Sequence, residues 1–87
     1  MKSFHLVIAS PNGTVYEGDT VMLSLRGQNG DLAVLAGHAP FVTPVVACDV
    51  KIEREEDELY GHTDGGLLSV GAETVTLLSG SFRLKQE

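Results

Sequence analysis

The sequence contains little cysteine, no tryptophan and few basic residues. Its single cysteine, Cys48, excludes an internal disulfide and cannot form a zinc site alone. Lying between Ala47 and Asp49 in a predicted strand, Cys48 is expected to be a small residue in or near the core, with a reactive thiol as the alternative. Six Lys and Arg oppose twelve Asp and Glu, a formal net charge of −6. This charge argues against nucleic-acid binding and favours a partner with a basic face.

Long hydrophobic runs are also absent. No apolar segment approaches the roughly 20 residues that cross a bilayer as a helix. Residues 1–4 lack the apolar stretch and cleavage site of a secretory signal. We therefore expect a soluble, intracellular protein. Since 87 residues with 43% hydrophobic content can close only one core, we predict a single domain, residues 1–87.

In most of the sequence apolar and polar side chains alternate, and this period of two residues predicts β-strands. Strands recur every 8–12 residues or so, the spacing of a sandwich or barrel. The predicted fold is all-β: a two-layer β-sandwich or flattened barrel of about 8–10 short strands with essentially no helix. Residues 67–70 are apolar on both faces, which predicts a strand covered on both sides. The alternating segments are residues 4–8, 21–25, 50–52, 75–77 and 82–84.

Turn residues separate these segments. Residues 11–13 and 28–31 each predict a hairpin turn, because Asn and Gly tolerate positive φ. Gly61 and the pair at 65–66 are predicted to interrupt strands in the later half. Residues 32–39 cannot form a stable helix, because Gly37 and Pro40 stop it within two turns. The acidic run 53–58 predicts a solvated hairpin tip rather than a metal site, since neighbouring residues on a strand point to opposite faces.

The sequence gives little support for catalysis. His5, His38 and His62 are far apart and lack metal-ligand spacing. No nucleophile elbow occurs, and no glycine-rich phosphate loop opens a helix. We therefore predict no catalytic residue, no metal site and no cofactor, which leaves protein binding.

A series of short motifs points to one family. A strand ending in Ser10 leads into a hairpin, and the strand at residues 21–25 precedes Gly30-Asp31-Leu32. A Gly37-His38-Ala39-Pro40 corner follows, then a Gly-Gly pair before an apolar strand and a Val-Thr-Leu-Leu strand at residues 75–78. In order and spacing, residues 4–79 resemble the amino-terminal β-sandwich of the epsilon subunit of F-type ATP synthase.

This resemblance implies a non-catalytic rotor subunit in the central stalk, with the gamma subunit and the c-ring as partners. It implies that the sandwich ties gamma to the ring, so that ion-driven rotation reaches the sites of ATP synthesis. It places Asp31 and His38 at the c-ring contact. It places Ser10, Tyr16, Val42 and Thr43 at the gamma contact.

Local interpretations remain open at two of these positions and at the neighbouring Phe41. Asp31 can instead cap its own turn, His38 can fix its own loop by hydrogen bonding, and Phe41 can belong to the core. The resemblance also implies a peripheral location on the cytoplasmic face of the bacterial inner membrane, with the plastid thylakoid as a second possibility.

The sequence departs from the family pattern in three places. Ala47-Cys48 replaces a usual Pro-Gly, and Asp64 replaces the Ser of a Ser-Gly-Gly motif. Residues 82–87 are too short for the helical hairpin that binds nucleotide or inhibits hydrolysis in the family. We therefore expect neither nucleotide binding nor helical self-inhibition, and the charged end resembles a natural terminus. The alternative functions are a free-standing β-sandwich binding module with another partner and, third, a small enzyme using His38 and Asp31.

Overall fold

The computed structural model describes residues 2–85, which form ten β-strands and no helix. The predicted all-β class is therefore confirmed. Among these residues no helix is long and apolar enough to cross a membrane. Met1, Gln86 and Glu87, which enter the sequence arguments about the two ends, lie outside the described residues. The strands are β1 (Phe4–Ser10), β2 (Gly13–Thr20), β3 (Met22–Gly27), β4 (Gly30–Leu35), β5 (Phe41–Val45), β6 (Cys48–Glu53), β7 (Glu58–Thr63), β8 (Gly66–Val70), β9 (Thr74–Ser79) and β10 (Phe82–Lys85).

Hydrogen bonding joins all ten strands into one sheet that folds over into two layers. One layer has the order β5-β8-β9-β1-β2, and the other has β10-β7-β6-β3-β4. The layers meet where Gly27 of β3 pairs with Val45 of β5. Neighbouring strands are antiparallel except β1 and β9, which run parallel. The predicted two-layer sandwich is thus a nearly closed, barrel-like sheet.

The core fills the space between the layers with one side of each strand. In β1, Phe4, Leu6 and Ile8 are buried while the intervening residues are partly exposed, as the alternation predicted. Burying these side chains is the main favourable term in folding, at about 25 cal/mol per Å² of apolar surface. The other layer supplies buried residues in the same alternation: Leu23, Leu25, Val34, Val50, Ile52 and Phe82.

The first two hairpins form where they were predicted, but only their glycines adopt positive φ. Gly13 and Gly30 have φ values of 125° and 124°. No other residue type has a positive φ within residues 2–85, so Asn12 and Asn29 do not use the left-handed conformation that they tolerate. Each glycine is the first residue after the turn, where the chain reverses into the next strand.

The acidic hairpin tip is confirmed. Residues 54–57 connect β6 to β7, and the Arg54 N–H donates to the Asp57 carbonyl at 2.9 Å. The Arg54 guanidinium also holds the Asp57 carboxylate from above the turn, with Nε 2.6 Å from Oδ1. The tip is therefore a closed turn held by an internal ion pair.

Two sequence expectations were wrong. Gly61 does not interrupt a strand; it lies buried inside β7, opposite Leu84 of β10. It is a glycine because a Cβ there would lie 2.7 Å from the Phe82 ring. Residues 67–70 are not covered on both sides by this chain. Leu68 is fully buried, whereas Leu67 points outward and is 42% exposed.

Candidate protein-binding face

The outer face of the first layer carries no Lys, Arg, Asp or Glu across four adjacent strands, and its one histidine, His5, lies at its end beside Glu17 of β2. Strand register lines up the outward residues of β5, β8, β9 and β1 in two rows that run across the sheet. We call this surface the uncharged face. Its members are Pro44, Leu67, Leu78 and Ala9 in one row and Val42, Ser69, Thr76 and Val7 in the other.

Large apolar side chains of this face are open to solvent. Val42 is 62% exposed and Leu78 is 52% exposed, with Leu67 between them on β8. Single exposed apolar residues are ordinary on protein surfaces, but a contiguous patch marks an interaction site. The charged residue Glu17 follows at the β2 edge, opposite Val7. This arrangement of an apolar centre with a polar rim is the usual composition of a protein interface.

The side chains of β5 alternate between this face and the interior of the protein. Val42 lies on the uncharged face, whereas Thr43 is half-buried on the other side of the strand and its Oγ1 donates to the Pro44 carbonyl at 3.2 Å. Phe41 is also half-buried and packs against the core, as the alternative interpretation held. The segment is not a free edge over its whole length, since β8 pairs with residues 41–45. On its other side β5 pairs with β3 at Val45, opposite Gly27, and no strand of the described chain pairs there with residues 41–44.

Ser10 and Tyr16 occupy different environments. Ser10 ends β1 next to Ala9 at the rim of the uncharged face, and its Oγ accepts a hydrogen bond from the Asn12 N–H at 3.3 Å. Tyr16 is half-buried on β2 and its ring packs against the core. Its hydroxyl is buried and makes no hydrogen bond of normal geometry. The hydroxyl lies near Arg54, and after the larger effect of Asp57 it also helps to raise the pKa of that guanidinium. Only Ser10 of this pair adjoins the uncharged face.

Asp31 lies at the start of β4, directly after the β3–β4 turn. Its Oδ1 accepts a hydrogen bond from the Arg26 Nε at 3.1 Å, across the strand pair. Both side chains are largely exposed, so the ion pair contributes only about 0–1 kcal/mol to stability. The carboxylate is therefore bound to a neighbouring strand's side chain and does not cap its own turn.

His38 lies beyond the opposite end of β4. Its backbone N–H donates to the Leu35 carbonyl at 3.2 Å, and its Nδ1 is 2.9 Å from the Ala39 carbonyl, which accepts when that nitrogen is protonated. The imidazole also packs on Phe41 with ring centroids 4.9 Å apart. Gly37, at a φ of 84°, allows the sharp turn that precedes it. The hydrogen bonding of His38 within its own loop agrees with the local interpretation, and the fold does not bring His38 and Asp31 together.

The outer face of the second layer differs because it is highly charged. Asp49 Oδ1 lies 3.0 Å from His62 Nδ1 and 3.2 Å from Lys85 Nζ. The hydrogen bonds from His62 and Lys85 lower the pKa of Asp49. On the same face, the hydrogen bond to Glu58 raises the pKa of Lys51. Because these ion pairs are exposed to solvent, each contributes little to stability, and together they give the second layer a hydrophilic outer face.

An open groove of about 730 Å³ lies beside Arg26, Cys48 and Lys51 on the second layer. Cys48 is half-buried there, and its Sγ accepts a hydrogen bond from the Arg26 N–H at 3.3 Å, which agrees with its predicted place near the core. Within residues 2–85 no group of three or more His, Cys, Asp or Glu residues is arranged to hold a metal ion.

Sequence reasoning found Val42 but missed Pro44, Leu67 and Leu78. The available signal was the pair of apolar doublets Leu67-Leu68 and Leu77-Leu78 in otherwise alternating strands. In each doublet one leucine enters the core and the other points outward. A leucine where alternation calls for a polar residue indicates that the outward face of the strand is also suited to burial.

The family comparison decides what kind of sandwich this is. Residues 3–85 match the family model of the ATP synthase delta/epsilon chain β-sandwich domain. The chain belongs to this family. The resemblance carried by its motifs is therefore confirmed.

Curated relatives agree with this assignment. The chain is 33% identical over 87 residues to the ATP synthase epsilon chain of Priestia megaterium, covering all of this chain and 65% of that one. It is 35% identical over 79 residues to the epsilon chain of Bacillus velezensis, covering 91% and 60% of the two chains. The chain thus spans less than two thirds of the length of these epsilon chains.

Solved structures show the same fold. A chain of the Euglena gracilis mitochondrial ATP synthase superposes with a TM-score of 0.88 at 18% identity, over 94% of this chain and 53% of that one. A chain from the Tetrahymena thermophila mitochondrial ATP synthase, in a structure of the central stalk and c-ring, gives 0.80 at 11% identity, over 94% and 66%. At these identities the likeness concerns the fold alone.

Proposed function

We propose that this chain is a non-catalytic subunit of the central stalk of an F-type ATP synthase. In this role it binds the gamma subunit and the c-ring and couples ion-driven rotation of the ring to ATP synthesis. Family membership supports this role, and the uncharged face is the observation that carries it. A rotor subunit that transmits torque needs a dry, extended contact, and on this face the exposed side chains of Val42, Leu67 and Leu78 lie on three neighbouring strands.

The gamma subunit is the proposed occupant of the uncharged face. Val42 belongs to this face on β5, and Ser10 lies at its rim on β1, so two of the four predicted gamma contacts adjoin it. Leu67 and Leu78 extend the contact across β8 and β9. Thr43 and Tyr16 point to the inner side of their strands, and we propose that they support this contact from behind rather than form its centre.

Asp31 and His38 are proposed to contact the polar loops of the c-ring. Asp31 is an exposed carboxylate on a tight turn, where a basic loop residue can exchange with Arg26. His38 presents an exposed imidazole on its corner. Because these residues lie at opposite ends of β4, the ring contact would extend along this strand. This assembly would place the protein peripherally at the cytoplasmic face of a bacterial inner membrane.

Binding to the gamma subunit of the same organism tests the proposal. We expect one-to-one co-elution on a sizing column and saturable binding by titration calorimetry. Val42→Asp and Leu78→Asp should each weaken binding at least about tenfold, because each buries an unpaired carboxylate at an apolar contact. Gln28→Asp adds the same charge on an exposed turn and should bind as the parent chain does. Absence of binding by the folded protein would instead favour a sandwich module with another partner.

Contact with the ring is tested separately in the assembled enzyme. A photoreactive amino acid placed at position 31 or 38 should label the c-ring. The same amino acid at Arg83 should not, because Arg83 is exposed on β10, at the opposite edge of the second layer from β4. Equal labelling from all three positions would contradict a specific ring contact.

A further inference from the structure

Strand β4 is an edge strand that lacks the usual protection against pairing. It pairs only with β3 among the described residues. From Leu32 to Ala36 the sequence contains no charged residue and no proline. The strands at the two ends of the sheet carry protective features: β2 has Glu17 and Asp19 and a register shift against β1, and β10 has two basic side chains. The unpaired side of β5 is short and contains Pro44.

The register of the β3–β4 pair identifies which backbone groups are free. Arg26 directs its N–H to Cys48 Sγ and its carbonyl to the Val46 N–H, both away from β4. In an antiparallel pair, residues opposite such a position also direct their backbone groups away from the partner. Asp31 is opposite Arg26, and Ala33 and Leu35 follow in the same phase.

Five backbone groups therefore line the open edge in a strand-like array. They are the N–H and carbonyl groups of Asp31 and Ala33 together with the N–H of Leu35. The Leu35 carbonyl is already used, because it accepts from the His38 N–H. The spacing of these groups matches that of one added strand of about five residues.

Side chains beside this edge select the kind of strand that fits. On the inner side, Leu32 and Ala36 are half-buried against the core at the rim between the layers, where an added apolar side chain would be covered. On the outer side, Asp31 is exposed at one end. The net charge of −6 further favours a cationic segment.

We propose that β4 accepts an extended segment of a different protein chain as an antiparallel eleventh strand. The segment presents apolar side chains toward Leu32 and Ala36 and basic side chains on the outer face near Asp31. A second copy of this chain fits poorly. Pairing two β4 strands about Ala33 would place Asp31, already paired with Arg26 of its own chain, opposite Leu35 of the other copy, and it would join two molecules that each carry a net charge of −6. This surface is distinct from the uncharged face and does not depend on gamma binding. It includes Asp31, so the added segment and the proposed ring contact would use the same strand.

A capped heptapeptide that alternates valine and lysine, with valine at both ends, is the probe. Directly opposite residues of an antiparallel pair share a face, so the lysines lie on the side of Ala33 and their amides point at β4. We expect amide NMR shifts and slowed hydrogen exchange at Ala33 and Leu35 on binding. Methylating the lysine amides should weaken binding at least about tenfold, while methylating the valine amides should leave it unchanged.

Two variants test the same edge from the protein side. Ala33→Pro removes one outward donor and should weaken peptide binding, because the Ala33 N–H does not bond to β3. Ala33→Val is the matched control, since it enlarges the side chain and keeps the donor. If the proline variant does not fold, the two methylated peptides decide the matter alone. Shifts at other strands, loss of binding with methylated valines, or a dimer protecting the same amides would each overturn the proposal.

Discussion

Gly61 shows how one residue can be fixed by close packing within a strand. An added Cβ would lie 2.7 Å from the Phe82 ring and 2.8 Å from the Arg83 carbonyl oxygen. Gly61→Ala should therefore lower the free energy of unfolding by about 1–3 kcal/mol, as overpacked sites do. Urea denaturation measures this change.

Gly27→Ala is the control for that substitution. Gly27 is also a buried strand glycine, but its nearest neighbour to an added Cβ is 3.7 Å away. Its effect should be smaller than about 1 kcal/mol. Equal destabilisation by both substitutions would show that strand glycine in general, and not the contact with Phe82, sets the cost.

The Arg54–Asp57 pair makes stability depend on acid pH. Hydrogen bonds from Arg54 lower the pKa of Asp57 below its ordinary value of 3.8. A carboxyl with a lowered pKa in the folded state contributes stability above its unfolded pKa and loses that contribution as the pH falls through its folded pKa. We therefore expect the free energy of unfolding to fall as the pH drops below about 4.

Asp57→Asn separates this pair from the other carboxylates. The variant should be less stable than the parent chain at neutral pH, and the difference should shrink in acid, where Asp57 of the parent is protonated. Asp49 and Glu58, whose pKa values are also lowered, remain in both proteins. Urea titrations at several pH values measure the difference, and a gap independent of pH would contradict the assignment.

At the scale of elements, the β3–β4 hairpin depends on the glycine that follows its turn. Gly30 has a φ of 124°, which side-chain-bearing L residues rarely adopt. Gly30→Ala should cost about 1–2 kcal/mol of stability although the space for a Cβ is empty. Thermal and urea unfolding measure it.

Asn29→Ala is the matched change one residue earlier. Asn29 has a negative φ, so this substitution should alter stability by no more than about 0.5 kcal/mol. If Asn29→Ala were the more harmful change, the conformation of the turn residue, rather than that of Gly30, would determine the hairpin.

For the whole molecule, the charge and the topology lead to the same expectation about nucleotides. The chain carries a net charge of −6, and no helix N-terminus lies within residues 2–85 to bind a phosphate. We expect ATP to produce no saturable rise in the melting temperature of this 87-residue chain. A saturable rise that requires ATP and not an equal concentration of sulfate would contradict this prediction.

The amino-acid sequence by itself determined the strands, most turns and the family. Alternation has a period of two, and glycine-containing turns punctuate it, so both signals are local and can be read from neighbouring residues. The ordered motifs from Ser10 to Leu78 pointed to the epsilon β-sandwich before any contact was known, and the family comparison confirmed it.

Only the tertiary structure decided which apolar residues stay in solvent and which edge stays open. Leu67 and Leu68 are chemically identical, and a strand covered on both sides would have the same sequence. Gly61 was misread for a related reason: its need for glycine comes from Phe82, which lies 21 positions away in the sequence and adjacent in space. Likewise, β4 has free backbone groups because it pairs with β3 alone, while the other edge of β3 pairs with β5 and β6. These features depend on contacts between distant segments, which local patterning does not encode.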